Sequence, residues 1–190
     1  ERTGEDYEND PGKLVDWQGQ APFLGCVLTR SVGAGQSYAT IQSAVDSLPG
    51  TLYADTCVVI RDGATYAEQV TVRNFVNNGS SITIMADPAG ARAVVNPPLT
   101  STAAFLIANS SVNIFGISVI PTNSVAYGVW ASSAQVQLSS VNIDAGGRIW
   151  TAGVRVSSWS AVSYSSVTVG NAHGFWLDSA TATAVAFSTA

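Results

Sequence analysis

Four segments of this chain can be written over one another. Tyr127-Gly128-Val129-Trp130-Ala131-Ser132-Ser133 is followed by Ala152-Gly153-Val154-Arg155-Val156-Ser157-Ser158 and His173-Gly174-Phe175-Trp176-Leu177-Asp178-Ser179, and a weaker copy, Phe105-Leu106-Ile107-Ala108-Asn109-Ser110-Ser111, precedes them. The copies start 22, 25 and 21 residues apart. A unit that keeps its type while its length varies is the mark of a solenoid whose turns share strands and differ in their loops. Such a pattern constrains the fold strongly and the activity weakly.

Alternation inside the repeats assigns the faces. Val129, Val154 and Phe175 fall in one inward column and Ala131, Val156 and Leu177 in the next. A second strand repeats the arrangement, with Ile117, Val141 and Val167 inward, Val119, Ile143 and Val169 inward, and Ser118, Asn142 and Thr168 between them facing out. Every coil therefore adds the same word to the same face, which specifies a parallel β-helix, an all-β solenoid. Further strands are expected at Cys57 to Ile60, Gln69 to Val72, Ser81 to Met85, Val112 to Ile120, Gln135 to Leu138 and Val162 to Val169. Ahead of them, Ile41, Ala44, Val45 and Leu48 recur at helical spacing, with Thr40 placed as an N-cap and Pro49-Gly50 as a stop. That short helix, about 40–48, is suited to cover the open end of the first coil.

Residues 1–22 differ from the rest. Glu1, Glu5, Asp6, Glu8 and Asp10 crowd together without apolar periodicity and without the ligand spacing of a calcium loop, so they read as a solvated acidic arm before a β-helix domain at 23–190. At the other end, Phe187-Ser188-Thr189-Ala190 copies Tyr164-Ser165-Ser166-Val167, which leads us to expect that the helix continues, or that another segment or chain stacks on it, beyond residue 190.

Charge excludes some partners. Only 11% of the 190 residues are charged, the net charge is −5, and Lys13 is the sole lysine, so no basic stripe exists to follow nucleic-acid phosphates. The apolar runs are broken by Ser, Asn or Gly well before the roughly 18 residues of a membrane span. The lone His173 cannot build a histidine metal cluster, and neither a metal nor a cofactor is expected. Cys26 and Cys57 open the matching words Cys26-Val27-Leu28-Thr29-Arg30 and Cys57-Val58-Val59-Ile60-Arg61. As in-register neighbours they would lie about 4.8 Å apart, within disulfide reach; a bridge and a pair of reduced core thiols both fit the pattern. Either fits a secreted chain better than a cytosolic one.

The segment Tyr38-Ala39-Thr40-Ile41-Gln42-Ser43-Ala44-Val45-Asp46, followed by Cys57-Val58-Val59-Ile60-Arg61-Asp62-Gly63-Ala64-Thr65-Tyr66-Ala67-Glu68-Gln69-Val70-Thr71-Val72, resembles the opening of right-handed parallel β-helices of the pectin-lyase-like superfamily, pectin methylesterases above all. The resemblance covers about the first third of the chain and implies a right-handed β-helix with a helical cap. For the esterases it further implies two catalytic aspartates and a Gly-Arg-Pro-Trp-like segment. Gly147-Arg148-Ile149-Trp150, with Asp144 just before it, is similar to that last segment, whereas nothing in the chain resembles the aspartate-bearing strand. The Ser-Ser-Val and Ser-Thr words of the coils also resemble repeat-rich secreted or surface proteins of bacteria.

One outward column carries the candidate ligand site. Trp130, Arg155 and Trp176 occupy equivalent positions of three coils, placing a guanidinium between two indoles on the solvent side. Such a column either stabilises the sheet or offers flat rings for a sugar chain. The leading expectation is a non-catalytic structural or adhesive segment of an extracellular or cell-surface protein, with a polysaccharide as the ligand of Trp130, Arg155 and Trp176. The alternative is a carbohydrate-active enzyme, a pectin-type esterase or a polysaccharide lyase, working through Asp144 and Arg148. An ice-binding array is disfavoured because outward Ser118, Asn142 and Thr168 are too mixed.

Overall fold

The computed structural model describes residues 26–157, 159–178 and 184–186. The acidic arm at 1–22 and the segment Phe187 to Ala190 lie outside the described residues. The chain is an all-β parallel solenoid of about six turns with one short helix near its amino-terminal end. In chain order, β1 (Leu28–Val32) leads to the helix α1 (Ile41–Asp46). Full coils of three strands follow: β2 (Thr56–Ile60), β3 (Thr65–Tyr66) and β4 (Val70–Arg73); β5 (Ile82–Ala86), β6 (Val94–Val95) and β7 (Ala103–Ala108); β8 (Ser111–Phe115), β9 (Ser118–Val119) and β10 (Val125–Ser132). The next two coils are β11 (Gln135–Ser139), β12 (Asn142–Asp144) and β13 (Ile149–Ser157), then β14 (Ala161–Ser163), β15 (Ser166–Thr168) and β16 (His173–Asp178), before β17 (Ala184–Ala186). Stacking the coils gives three parallel sheets, ordered β1-β2-β5-β8-β11-β14-β17, β4-β7-β10-β13-β16 and β3-β6-β9-β12-β15.

Alternation decides the core as expected in the middle coils, whereas Leu177, expected inward beside Val156, keeps that register but is exposed at the last described coil. Val129, Val154, Ala131 and Val156 are buried in a single apolar column system with Phe105, Ile107, Ile114 and Ile143. The registers correct three alignments. Phe105 pairs with Val129 and Ile107 with Ala131, so the weak first copy is displaced by two residues. Val167 pairs with Ile143, and Ser166 with Asn142, so Thr168 stands beside Asp144 and Val169 leaves the column. Thr29, not Cys26, is the register partner of Cys57. The cysteines nevertheless form a disulfide with Cα atoms 5.6 Å apart, because Cys26 lies just before β1 and turns back over Cys57. Around it, Val59, Met85 and Phe115 make an apolar strip separate from the main core.

The expected long strands 112–120 and 162–169 are each broken at a corner. Gly116, Ser140 and Tyr164 stack there with φ of 61°, 54° and 47°, and the opposite corner stacks Asn74, Asn109 and Ser133 with φ of 60°, 50° and 49°. Such left-handed residues bend a strand sharply, and asparagine tolerates them. The serine-rich words sit beside these corners. Ser110, Ser160 and Ser165 are buried, and their hydroxyls accept from the backbone N–H of Phe75, Val136 and Val141 on the preceding coil at 3.1, 3.2 and 3.2 Å.

The helix closes the amino-terminal end. Thr40 caps it, accepting from Ser43 N–H at 3.1 Å, and Ile41, Ala44 and Val45 face the core. The Glu68 carboxylate accepts from the N–H groups of Ile41 and Gln42, both at 2.8 Å, at the positive end of the helix. Gln42 in turn bonds both backbone groups of Thr71, donating to its carbonyl at 3.2 Å and accepting from its N–H at 2.6 Å. A side chain thus takes the place of the missing neighbour strand and blunts the free edge of β4. No helix of the described residues is long and apolar enough to cross a membrane.

Candidate functional site

The outer face of the second sheet is built from β10, β13 and β16. Trp130 pairs with Arg155 and Arg155 with Trp176, so the three expected residues do share one outward column. Towards the helix the same column continues through Leu106 and Thr71. Beside the ladder runs a column of glycines, Gly128, Gly153 and Gly174, the first two forced by close packing. A Cβ on Gly128 would lie 2.6 Å from the Gly153 carbonyl, and one on Gly153 would lie 2.1 Å from Val167 Cγ1. Sheets two and three meet there at van der Waals contact.

The partners of Arg155 differ from the expected sandwich. Its guanidinium carbon lies 4.6 Å from the Trp176 ring centroid and 5.8 Å from that of Tyr127, while Trp130 packs on Tyr127 with centroids 5.2 Å apart. Tyr127 therefore takes the role assigned to Trp130 and spaces it from the cation. Arg155 also donates to the Tyr127 hydroxyl at 2.9 Å and to the Asp178 carboxylate at 2.6 Å. Asp178 first, and Tyr127 second, hold the guanidinium more firmly protonated than an ordinary arginine. His173 completes the row, its ring edge-on to Trp176 at 5.2 Å.

Next to the ladder, the regular register fails. Val125 pairs with Ile149 but Tyr127 with Ala152, so β13 holds one extra residue at Trp150 and Thr151. A bulge of this kind re-aims side chains. The coil that follows is short, since Val154 pairs with Phe175 only 21 residues on, whereas Val129 and Val154 are 25 apart. Where the long coil overhangs the short one, a groove of about 390 Å3 opens, lined by Trp150, Thr151, Asn171, Ala172, His173 and Trp176. Trp150 is 66% exposed and Trp176 36%. The Thr151 hydroxyl oxygen is buried and has no hydrogen-bond partner among the described residues.

Asp144 ends β12, and Arg148 closes the turn after it by donating its N–H to the Ala145 carbonyl at 2.8 Å. Gly146 and Gly147, with φ of 50° and 78°, make this a tight turn, and both Asp144 and Arg148 are exposed on its flanks. Among the described residues no group of three or more His, Cys, Asp or Glu could hold a metal ion. Column position was enough to find Trp130, Arg155 and Trp176; Tyr127 and His173 keep the repeat register on either side of Ala152, but a column of such mixed types carried no signal, and Thr151 escaped because the bulge lies outside the repeat.

Asp62, Gly63 and Tyr66, which carry part of the family resemblance, form a turn lock. The Asp62 carboxylate accepts from Ala34 N–H at 2.8 Å and from the Tyr66 hydroxyl at 2.7 Å. These bonds, the Ala34 one foremost, hold the Asp62 carboxyl below its usual range. Burial first, then the bond to Asp62, pushes the Tyr66 phenol far above its own. A Cβ on Gly63 would lie 2.5 Å from that of Ala91 on the next coil. Compared with known proteins, the chain matches no family model, no curated protein and no solved structure.

Proposed function

We propose that the chain is a non-catalytic structural and adhesive β-helix of a secreted or cell-surface protein, and that the outer face of its second sheet binds glycan. The observation that carries this reading is the row Tyr127, Trp130, Arg155, Trp176 and His173, set on parallel strands about 4.8 Å apart. Sugar rings present apolar C–H faces that stack on indoles and hydroxyl rims that need donors and acceptors nearby. A rigid sheet supplies both in fixed register with little ordering cost. The Cys26–Cys57 bridge supports an oxidising compartment, as a secreted protein would meet.

The test is retention of the chain on insoluble and immobilised polysaccharides beside a Trp130→Ala/Trp176→Ala variant, with released sugars assayed in the same tubes. Retention by the parent chain, loss of retention in the variant and no released product are expected. Product release would overturn the non-catalytic reading, and retention unchanged in the variant would overturn the assigned face.

A further inference from the structure

We infer that the groove at the β13 bulge is the anchoring subsite for one ring of an uncharged sugar chain, with Trp150 as its platform, Thr151 as its hydrogen-bonding residue, and discrimination against uronates built in through a lining without lysine or arginine. This rests on the reading of the second sheet as a glycan-binding face.

Three independent observations converge on the groove. The first is steric: a coil of 25 residues followed by one of 21 leaves a recess beside the ladder, and its volume of about 390 Å3 is at the small end of the range for small-molecule sites. The second is the Thr151 hydroxyl, a buried polar atom without a partner among the described residues, although groups of this kind are nearly always bonded. Thr151 lines the recess, so a turn of its side chain would bring that closed-off hydroxyl to a ligand hydroxyl entering there. The third is the placement of Trp150. The bulge sets this indole on the outer rim with two thirds of its surface in water, where flat apolar area has no internal use. Asn171 and His173 add polar groups on the far wall.

Electrostatics selects the class of sugar. Arg155 does not line the recess and is already committed: Asp178 neutralises it, Tyr127 accepts a second bond, and Trp176 covers its plane. Arg148 is exposed but does not line the recess. Among the described residues no lysine or arginine lines the recess, so an anionic ring would be held there with its charge unpaired. Leaving water without gaining a counter-charge costs affinity for the charged ring and nothing for the neutral one.

The experiment is calorimetric titration of the full chain with cellohexaose, mannohexaose and xylohexaose as neutral probes and hexagalacturonate as the acidic one. Variants are Trp150→Ala, Trp150→Phe, Thr151→Val and Trp130→Ala, each checked for an unchanged thermal unfolding profile. At least one neutral hexamer is expected to bind. Trp150→Ala should weaken it tenfold or more, Trp150→Phe should retain most of it, and Thr151→Val should weaken it several-fold. Hexagalacturonate should bind at least tenfold more weakly than the neutral probe. Binding lost in Trp130→Ala but unchanged in Trp150→Ala and Thr151→Val would overturn the groove and leave the glycan-binding face standing. Preferential binding of hexagalacturonate would overturn the selectivity, and absence of binding to all four probes would overturn both readings.

Discussion

The amino-terminal coils and the last complete coils share one architecture but use their surface side chains in opposite ways. At the amino-terminal end, polar groups are turned onto backbone: Glu68 on the first N–H groups of α1, Gln42 on β4, Asp62 on Ala34, and Gln69 on the N–H groups of Thr102 and Ala103 at 2.9 and 3.2 Å. Around β13 and β16, side chains of the outer face contact one another, and Trp150 and Trp176 remain open to water. Groups spent on backbone hold the solenoid closed, and groups stacked in the open are available to a ligand. The difference predicts that substitutions at the first end act on stability, while those on the late face act on binding.

The largest expected effect lies at the amino-terminal end. Replacing both cysteines, Cys26→Ala with Cys57→Ala, releases a loop spanning 31 residues and should lower unfolding free energy by about 3–4 kcal/mol in the chain-entropy account. Urea denaturation measures it, and a loss under about 1 kcal/mol would remove the bridge from the list of devices that hold this end. Next comes a position beside the ladder, chosen to separate the sheet from what stands on it. Gly153→Ala puts a Cβ against Val167 and, at 3.0 Å, against the Gly174 carbonyl. Overpacking of this kind costs about 1–3 kcal/mol. Combining it with Val167→Ala should recover part of that loss; a purely additive pair would mean that the Val167 contact is not the cause.

How much of this was legible in the sequence depended on whether a residue obeys the repeat. Trp130, Arg155 and Trp176 were placed correctly because three copies fix one column with period-two alternation. Thr40 and the apolar stripe of α1 were equally readable, since capping and helical spacing are local. What failed was register wherever coil length changes: a two-residue slip of the Phe105 copy and of Val169 keeps the faces right and the neighbours wrong. The bulge at Trp150–Thr151 is invisible to an alignment of repeats, because an extra residue looks like a longer loop. Ser-Ser-Val words suggested an adhesive surface, yet Ser110, Ser160 and Ser165 are buried corner groups that satisfy the coil before them.

The third effect tests the helical cap. Glu68→Ala leaves two N–H groups at the start of α1 without their carboxylate, and bonds to charged groups contribute about 1.5–3 kcal/mol each at most. A net loss of about 2 kcal/mol is expected, with Glu68→Gln recovering part of it. An unchanged midpoint would mean that water replaces the carboxylate at no cost. Asp62 gives the same end a pH signature. Its carboxyl is held below its ordinary value of about 3.9, so the folded state keeps the anion where the unfolded chain takes up a proton. The stabilisation is complete above about pH 4 and is lost as pH falls through the lower folded value. Denaturation midpoints recorded from pH 6 to pH 2 should fall less steeply for Asp62→Asn than for the parent chain, and parallel curves would dismiss Asp62 as the source.

The smallest effect is expected on the late face and decides the comparison. Arg155→Ala removes the ion pair with Asp178, the bond to Tyr127 and the contact over Trp176 together. Because Asp178 is 43% exposed, the pair is screened by solvent, and exposed ion pairs and cation–π contacts contribute at most about 1 kcal/mol each. The total should stay near about 1 kcal/mol, below the loss from Glu68→Ala, and Arg155→Met should recover the share that comes from packing of the stem. Glycan binding should fall much further than stability, since Trp176 loses the cation that covers one of its faces. Should Arg155→Ala instead cost as much as loss of the disulfide, the ladder would be a structural brace like Glu68 and Gln42, and the aromatic face would have no claim to a ligand.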